Sequence, residues 1–137
     1  MKRNATAVWA GSLKEGAGKI TTQSNVLSNT QYSFKTRFED GNGTNPEELV
    51  AAAHAGCFTM AVSLALTEKG INPTALDTQA TVSMAGFDIT GVHLSISGVV
   101  PGISEADFIA VTKIAEQNCL ISKVLNIPIT SEAQLVA

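Results

Sequence analysis

Between Glu48 and Glu68 the chain has no Asp, Glu, Lys or Arg. This uncharged run lies inside Thr44–Gly70 (TNPEELVAAAHAGCFTMAVSLALTEKG), which reads as one long helix. Asn45 is a good N-cap, because its side-chain oxygen accepts from a free amide of the first turn. Pro46 then takes the first helical position, where a missing N–H costs nothing. Glu47 and Glu48 suit the positive end of the helix dipole, and Lys69 suits the negative end. Gly70 stops the helix, with Pro73 soon after. A helix apolar on nearly every face is buried all round or lies in a membrane. His54, Thr59, Ser63 and Thr67 weaken an insertion signal, and no basic flank sets an orientation. A buried core helix is expected, with Cys57 at its middle.

Such a helix sets the terms for the rest of the chain. At 137 residues the sequence reads as one domain, residues 1–137. Only 15% of residues are charged against 45% hydrophobic. That balance implies more buried surface than one small monomer encloses, so an oligomer is expected. The net charge is −3 and there is no basic stripe, which argues against nucleic acid or an anionic membrane as partner. Met1-Lys2-Arg3-Asn4 is basic but no apolar run follows, so no signal peptide is expected and the location is read as cytoplasmic.

Before the helix, Ala5–Ala10, Ile20–Val26 and Gln31–Phe38 read as strands, and Glu39–Thr44 as a loop. After it, Thr74–Phe87 and Asp88–Val100 alternate apolar and polar residues around a turn at Gly86-Phe87-Asp88, as a long antiparallel hairpin. Ser104 caps a second helix, Glu105–Asn118, whose apolar face is Phe108, Val111, Ile114 and Ala115. Leu120–Asn126 reads as a short helical turn and Pro128–Val136 as a last strand. The order βββ-α-ββ-α-β gives an α+β fold: antiparallel sheets packed on a long central helix and a second helix.

Cys57 and Cys119 are the only cysteines, too far apart for a CxxC motif and too few for a zinc knuckle. Each alone reads first as a small buried hydrophobe, with a reactive thiol as the other reading. His54 lies one turn before Cys57, where it is a candidate base or a hydrogen-bonded core histidine. His93 shows no partner in its strand.

One long stretch goes further. Gly43-Thr44-Asn45-Pro46-Glu47-Glu48-Leu49, then Ala51-Ala52-Ala53-His54-Ala55-Gly56-Cys57-Phe58, resembles the signature of the OsmC/Ohr family. Thr36-Arg37-Phe38-Glu39 is closer to the OsmC branch. Val99-Val100-Pro101-Gly102, Cys119 with Ser122-x-Val124-Leu125, and Ile129-Thr130 follow in the expected order. One departure is Leu120, where the family commonly has proline after the second cysteine.

The resemblance implies an OsmC-like fold in an intertwined homodimer with its active sites at the interface. It implies a thiol-dependent peroxidase that reduces organic hydroperoxides or hydrogen peroxide. In it Cys57 is the peroxidatic cysteine, Cys119 the resolving one, Arg37 the cation facing the thiolate and Glu47 the carboxylate orienting that arginine through a bidentate pair. An external dithiol is the implied reductant, with no metal or cofactor. Phe38, Phe58, Met60 and Leu120 are the apolar walls available to an organic substrate. The other reading is a non-enzymatic small-ligand binder or stress-response protein on the same fold, whose cysteines merely pack.

Overall fold

A computed structural model describes residues 1–136. The chain divides into two compact units, residues 1–49 and the remainder.

The first unit is a three-stranded antiparallel sheet with a short helix. β1 (Ala5–Ala10) pairs with β2 (Ala17–Thr22), which pairs with β3 (Thr30–Tyr32). Trp9 and Tyr32 lie 5.4 Å apart, ring to ring. The third strand stops earlier than its alternation suggests, because Ser33 caps a helix, α1 (Phe34–Phe38). The Ser33 hydroxyl accepts from the Thr36 amide, and the Thr36 hydroxyl accepts in return from the Ser33 amide at 2.8 Å. This capping box competes successfully with a ladder. Phe34 and Phe38 then fall one turn apart and touch at 5.0 Å between ring centres.

The long helix, α2 (Pro46–Glu68), starts in the first unit and forms much of the second. Its ends are as the residues require. Asn45 Oδ1 accepts from the Glu48 amide at 2.7 Å. The Glu48 carboxylate accepts from the Thr44 hydroxyl at 2.8 Å, so only half of a capping box forms. At the C-terminus Gly70 has φ +73, with Gly70 N–H bonded to Thr67 O and Ile71 N–H to Leu66 O. This is a Schellman ending, and the left-handed position is one that glycine occupies without strain. By length and composition α2 passes as a membrane span, at a mean hydropathy of 1.8. Within the chain it is buried on one face: His54, Phe58, Val62 and Leu66, at i, i+4 spacing, are solvent-inaccessible. The expected burial all round is not seen, since Met60 is 74% and Leu64 60% exposed on the other side.

The second unit holds a mixed sheet in the order β4-β5-β6. β4 (Ala75–Ala85) and β5 (Asp88–Val99) form the expected hairpin around Gly86-Phe87, with a register shift at Ser83/Met84. Val92, Leu94 and Ile96 point inward by the strand's period of two and join the core with Phe58, Val62 and Leu66. α3 (Glu105–Asn118) begins at Ser104, whose hydroxyl accepts from the Asp107 amide. It buries Phe108, Val111, Thr112 and Ala115, while Ile114 is 53% exposed. The inward face is thus rotated toward Thr112, whose hydroxyl is satisfied by Ile109 O at 2.7 Å. Gly98 lets Phe108 sit against the sheet, since a Cβ there would come within 2.8 Å of its ring. α4 (Leu120–Val124) follows, then β6 (Ile129–Leu135). The α+β class holds, with one pairing different from expectation: β6 runs parallel to β5. The helices between these strands form a crossover, which is what a parallel pair needs.

Candidate active site

Cys57 lies on α2 and packs half-buried against the core. Cys119 is 1% exposed and sits at a joint. Its backbone is extended (φ −60, ψ 126), and it is both the C-cap of α3 and the N-cap of α4. Its N–H closes α3 on Ala115 O, and its C=O accepts the first bond of α4 from Lys123. This puts the free first-turn amides of α4 beside the thiols. Both cysteines are free, and their side chains are hydrogen-bonded to each other.

Burial pushes the Cys57 thiol up, but the Ile121 N–H, the Cys119 thiol and the Leu120 N–H more than offset it, and Cys57 is a stronger acid than an ordinary cysteine. Cys119 moves the opposite way. Burial dominates there, opposed by the Ser122 N–H and hydroxyl and by the Ile121 N–H, with Cys57 adding to the rise. Two neighbouring thiols are thus pushed apart in acidity, with Cys57 the one more readily present as thiolate. Leu120 gains a meaning here. A proline would bring no N–H, whereas Leu120 donates one to Cys57.

His54 is fully buried beside this pair, with Nε2 2.7 Å from Ser122 Oγ. Its Nδ1 is buried and has no hydrogen-bond partner. Burial lowers its pKa, and the Glu116 carboxylate partly restores it. His54 is thus a buried histidine hydrogen-bonded through one ring nitrogen, an arrangement compatible with either alternative left open by sequence. His93 does have partners: Thr130 Oγ1 at 2.6 Å and Glu132 Oε1 at 3.2 Å, across β5 and β6.

Arg37 and Glu47 meet in the first unit. Arg37 Nε donates to Glu47 Oε1 at 2.7 Å, with Glu47 nearly buried and Arg37 43% exposed. The expected bidentate pair is not formed, because the buried Glu47 Oε2 has no partner. Asn45 Nδ2 donates to Thr36 O at 3.0 Å, tying the start of α2 to α1 and so fixing Glu47 opposite Arg37. The guanidinium lies over the Phe38 ring, 5.2 Å from its centre. Beside it a cavity of about 270 Å³ is lined by Trp9, Leu13, Tyr32, Phe34, Phe38 and Arg37.

The four expected site residues therefore form two pairs, Arg37–Glu47 and Cys57–Cys119. Along α2 ten residues separate Glu47 from Cys57, about 15 Å of rise and roughly 280° of turn. Of the expected apolar walls, Phe58 belongs instead to the core. Sequence reasoning named Ser122 only within the motif around Cys119 and assigned no role to it or to the Leu120 and Ile121 amides.

The family model described as OsmC-like protein matches residues 39–133, a span that contains Glu47, Cys57 and Cys119 and begins just after Arg37. The chain belongs to the OsmC-like family. This OsmC-like chain is 46% identical over 137 residues to the peroxiredoxin OsmC of Escherichia coli K12, covering 97% of the chain and 96% of the relative. It is 32% identical over 88 residues, 62% of each protein, to organic hydroperoxide resistance protein-like 2 of Staphylococcus epidermidis. Among solved structures, the organic hydroperoxide resistance protein OhrB of Bacillus subtilis matches with a TM-score of 0.71 at 24% identity, over 97% of this chain and 98% of that one. At that identity the likeness speaks for the OsmC-like fold alone.

Proposed function

We propose that this chain is a cysteine-based peroxidase that reduces organic hydroperoxides, and works as a homodimer of one OsmC-like domain per chain. The observation that carries the reading is the juxtaposition of two free cysteines, Cys57 on α2 and the buried Cys119 at the start of α4, where α4 amides hold the Cys57 thiol below the ordinary range. Only a thiolate attacks a peroxide bond. Cys57 Sγ bonds to one oxygen of the O–O bond, the bond breaks, and the other oxygen leaves as the alcohol after taking a proton. The product is a sulfenic acid at Cys57. Cys119 attacks that sulfur, the S–O bond breaks, water leaves and a disulfide forms. An external dithiol reduces the disulfide by exchange, in a setting we take to be the reducing cytoplasm.

Arg37 is assigned to hold the peroxide and the thiolate, and Glu47 to orient it. One arginine does not comfortably span the rise between Glu47 and Cys57 on one helix. The reading that fits is a second copy whose α2 packs antiparallel on the first, so that Arg37 and Glu47 of one chain serve Cys57 of the other. The exposed stripe of Gly56, Met60 and Leu64 supports this, because a contiguous apolar helix face calls for a cover. The aromatic cavity beside Arg37 suits the carbon part of a bulky hydroperoxide.

A steady-state assay of cumene hydroperoxide loss with excess dithiothreitol tests the assignment. Wild type consumes peroxide, with kcat/KM higher than for hydrogen peroxide. Cys57→Ser, close in volume, has no turnover, whereas Cys119→Ser reacts once and leaves a sulfenic acid that dimedone traps. A Cys57→Ser variant with the wild-type rate, or a wild type that only binds the hydroperoxide, refutes it.

A further inference from the structure

Cys119 sets a problem that its surroundings answer. It is 1% exposed, and burial holds its thiol in the protonated form. To attack an oxidised Cys57 it must lose that proton, yet it has almost no contact with bulk water. Besides Cys57 and the Ser122 and Ile121 amides, its hydrogen-bonding neighbours include the Ser122 hydroxyl, and that hydroxyl lies 2.7 Å from His54 Nε2. Thiol, hydroxyl and imidazole thus form a continuous chain inside one unit. His54 is fully buried, and a histidine needed only for packing would be expected to satisfy both ring nitrogens; here Nδ1 has no partner.

We propose that His54 and Ser122 form a buried proton relay that takes the proton from Cys119 as it closes the disulfide on oxidised Cys57. This rests on the assignment of Cys119 as the resolving thiol. Once Cys57 is oxidised, the Cys119 S–H that faced it turns to Ser122 Oγ while the Ser122 O–H donates to His54 Nε2, so one concerted shift leaves an imidazolium and a thiolate that accepts from Ser122. The thiolate bonds to Cys57 sulfur, the S–O bond breaks, and its electron pair leaves with hydroxide at the half-exposed Cys57. The buried imidazolium then gives up its proton, which converts the hydroxide to water. Thiol and sulfenic acid become disulfide and water, with no net gain or loss of protons. Ser122 touches the reacting sulfur and passes the proton on, and His54 accepts it as the base, acting through Ser122.

The surrounding charges suit the task. Among the described residues, Glu116 on α3 is the charged side chain that acts on His54, and it favours the imidazolium. Glu116 is itself held by the Ser131 hydroxyl of β6 and lies 3.5 Å from Lys113. Cys57 on α2 is the remaining titratable group facing Cys119. Burial keeps His54 neutral at rest, and so free to accept a proton.

Rapid mixing of the reduced protein with one equivalent of cumene hydroperoxide tests this, with peroxide loss and dimedone-trappable sulfenic acid followed across pH. Ser122→Ala removes the link at a half-buried position. His54→Gln keeps a hydrogen bond to Ser122 but takes up no proton. Both variants are expected to consume the first equivalent of peroxide near the wild-type rate. Disulfide closure slows about 100-fold near neutral pH, the scale of a lost general base. It then rises about tenfold per pH unit as Cys119 ionises unaided, where wild type is nearly flat. An unchanged closure rate and pH profile in folded Ser122→Ala overturns the relay. A His54→Gln protein that closes like wild type overturns it as well, even if Ser122→Ala is slow. A wild type that forms no Cys57–Cys119 disulfide overturns the peroxidase reading, and the relay with it.

Discussion

A thiol in the middle of an apolar helix should be a poor acid, because burial disfavours the thiolate. Cys57 escapes this through backbone N–H groups of the segment that carries Cys119. On the proposed assignment, one residue thus supplies both the resolving thiol and, by ending α3 in an extended conformation, the amides that sharpen the nucleophile. Alkylation by iodoacetamide as a function of pH measures this directly. Cys57 is expected to react with a midpoint below the ordinary thiol value and Cys119 above it; the reverse order contradicts the account. Leu120→Pro fits the first position of α4 but brings no N–H. It should raise the Cys57 midpoint while peroxidase activity at neutral pH falls. Glu47 and Cys57 were legible through the stretch from Gly43 to Phe58, Arg37 through Thr36-Arg37-Phe38-Glu39, and Cys119 through Ser122-x-Val124-Leu125 after it, all by resemblance. The amides were not legible, since a backbone N–H has no letter, nor was the missing partner of Glu47 Oε2, which depends on side-chain geometry.

At the level of elements, the legible features were those with strong local chemistry. Asn45-Pro46 and Gly70 bound α2, and Ser104 bounds α3, because caps act over three or four residues. The misread features were set by competition or by distance. Tyr32, Phe34 and Phe38 satisfy a strand's period, but the Ser33–Thr36 box ends β3 at Tyr32 and winds Phe34–Phe38 into α1. The direction of β6 depends on a crossover that no short window contains. α1 matters because it presents Arg37, and the Asn45 side chain joins it to α2 through Thr36 O. Asn45→Ala removes both the cap and this tie. Urea denaturation should show a loss of about 1–2 kcal/mol, the usual scale of a lost N-cap. Unchanged stability would mean that neither bond matters in solution.

For the whole molecule, the decisive feature is that α2 buries only one of its apolar faces within the chain. Light scattering is expected to give twice the chain mass. A dimer with sites made in trans makes a sharper prediction. When inactive Cys57→Ser and inactive Glu47→Ala chains are mixed and allowed to exchange, one hybrid site carries both lesions and the other carries none, so activity returns. Sites made within each chain restore nothing. The claim beneath all of this is that hydroperoxide oxidises Cys57 and that Cys119 closes on it. The most direct measurement is the intact mass and peptide map of reduced wild type after one equivalent of cumene hydroperoxide. The account predicts consumption of the peroxide, a loss of two hydrogens from the chain and a single Cys57–Cys119 cross-linked peptide. Peroxide left unreacted, with both thiols still open to alkylation, would contradict it.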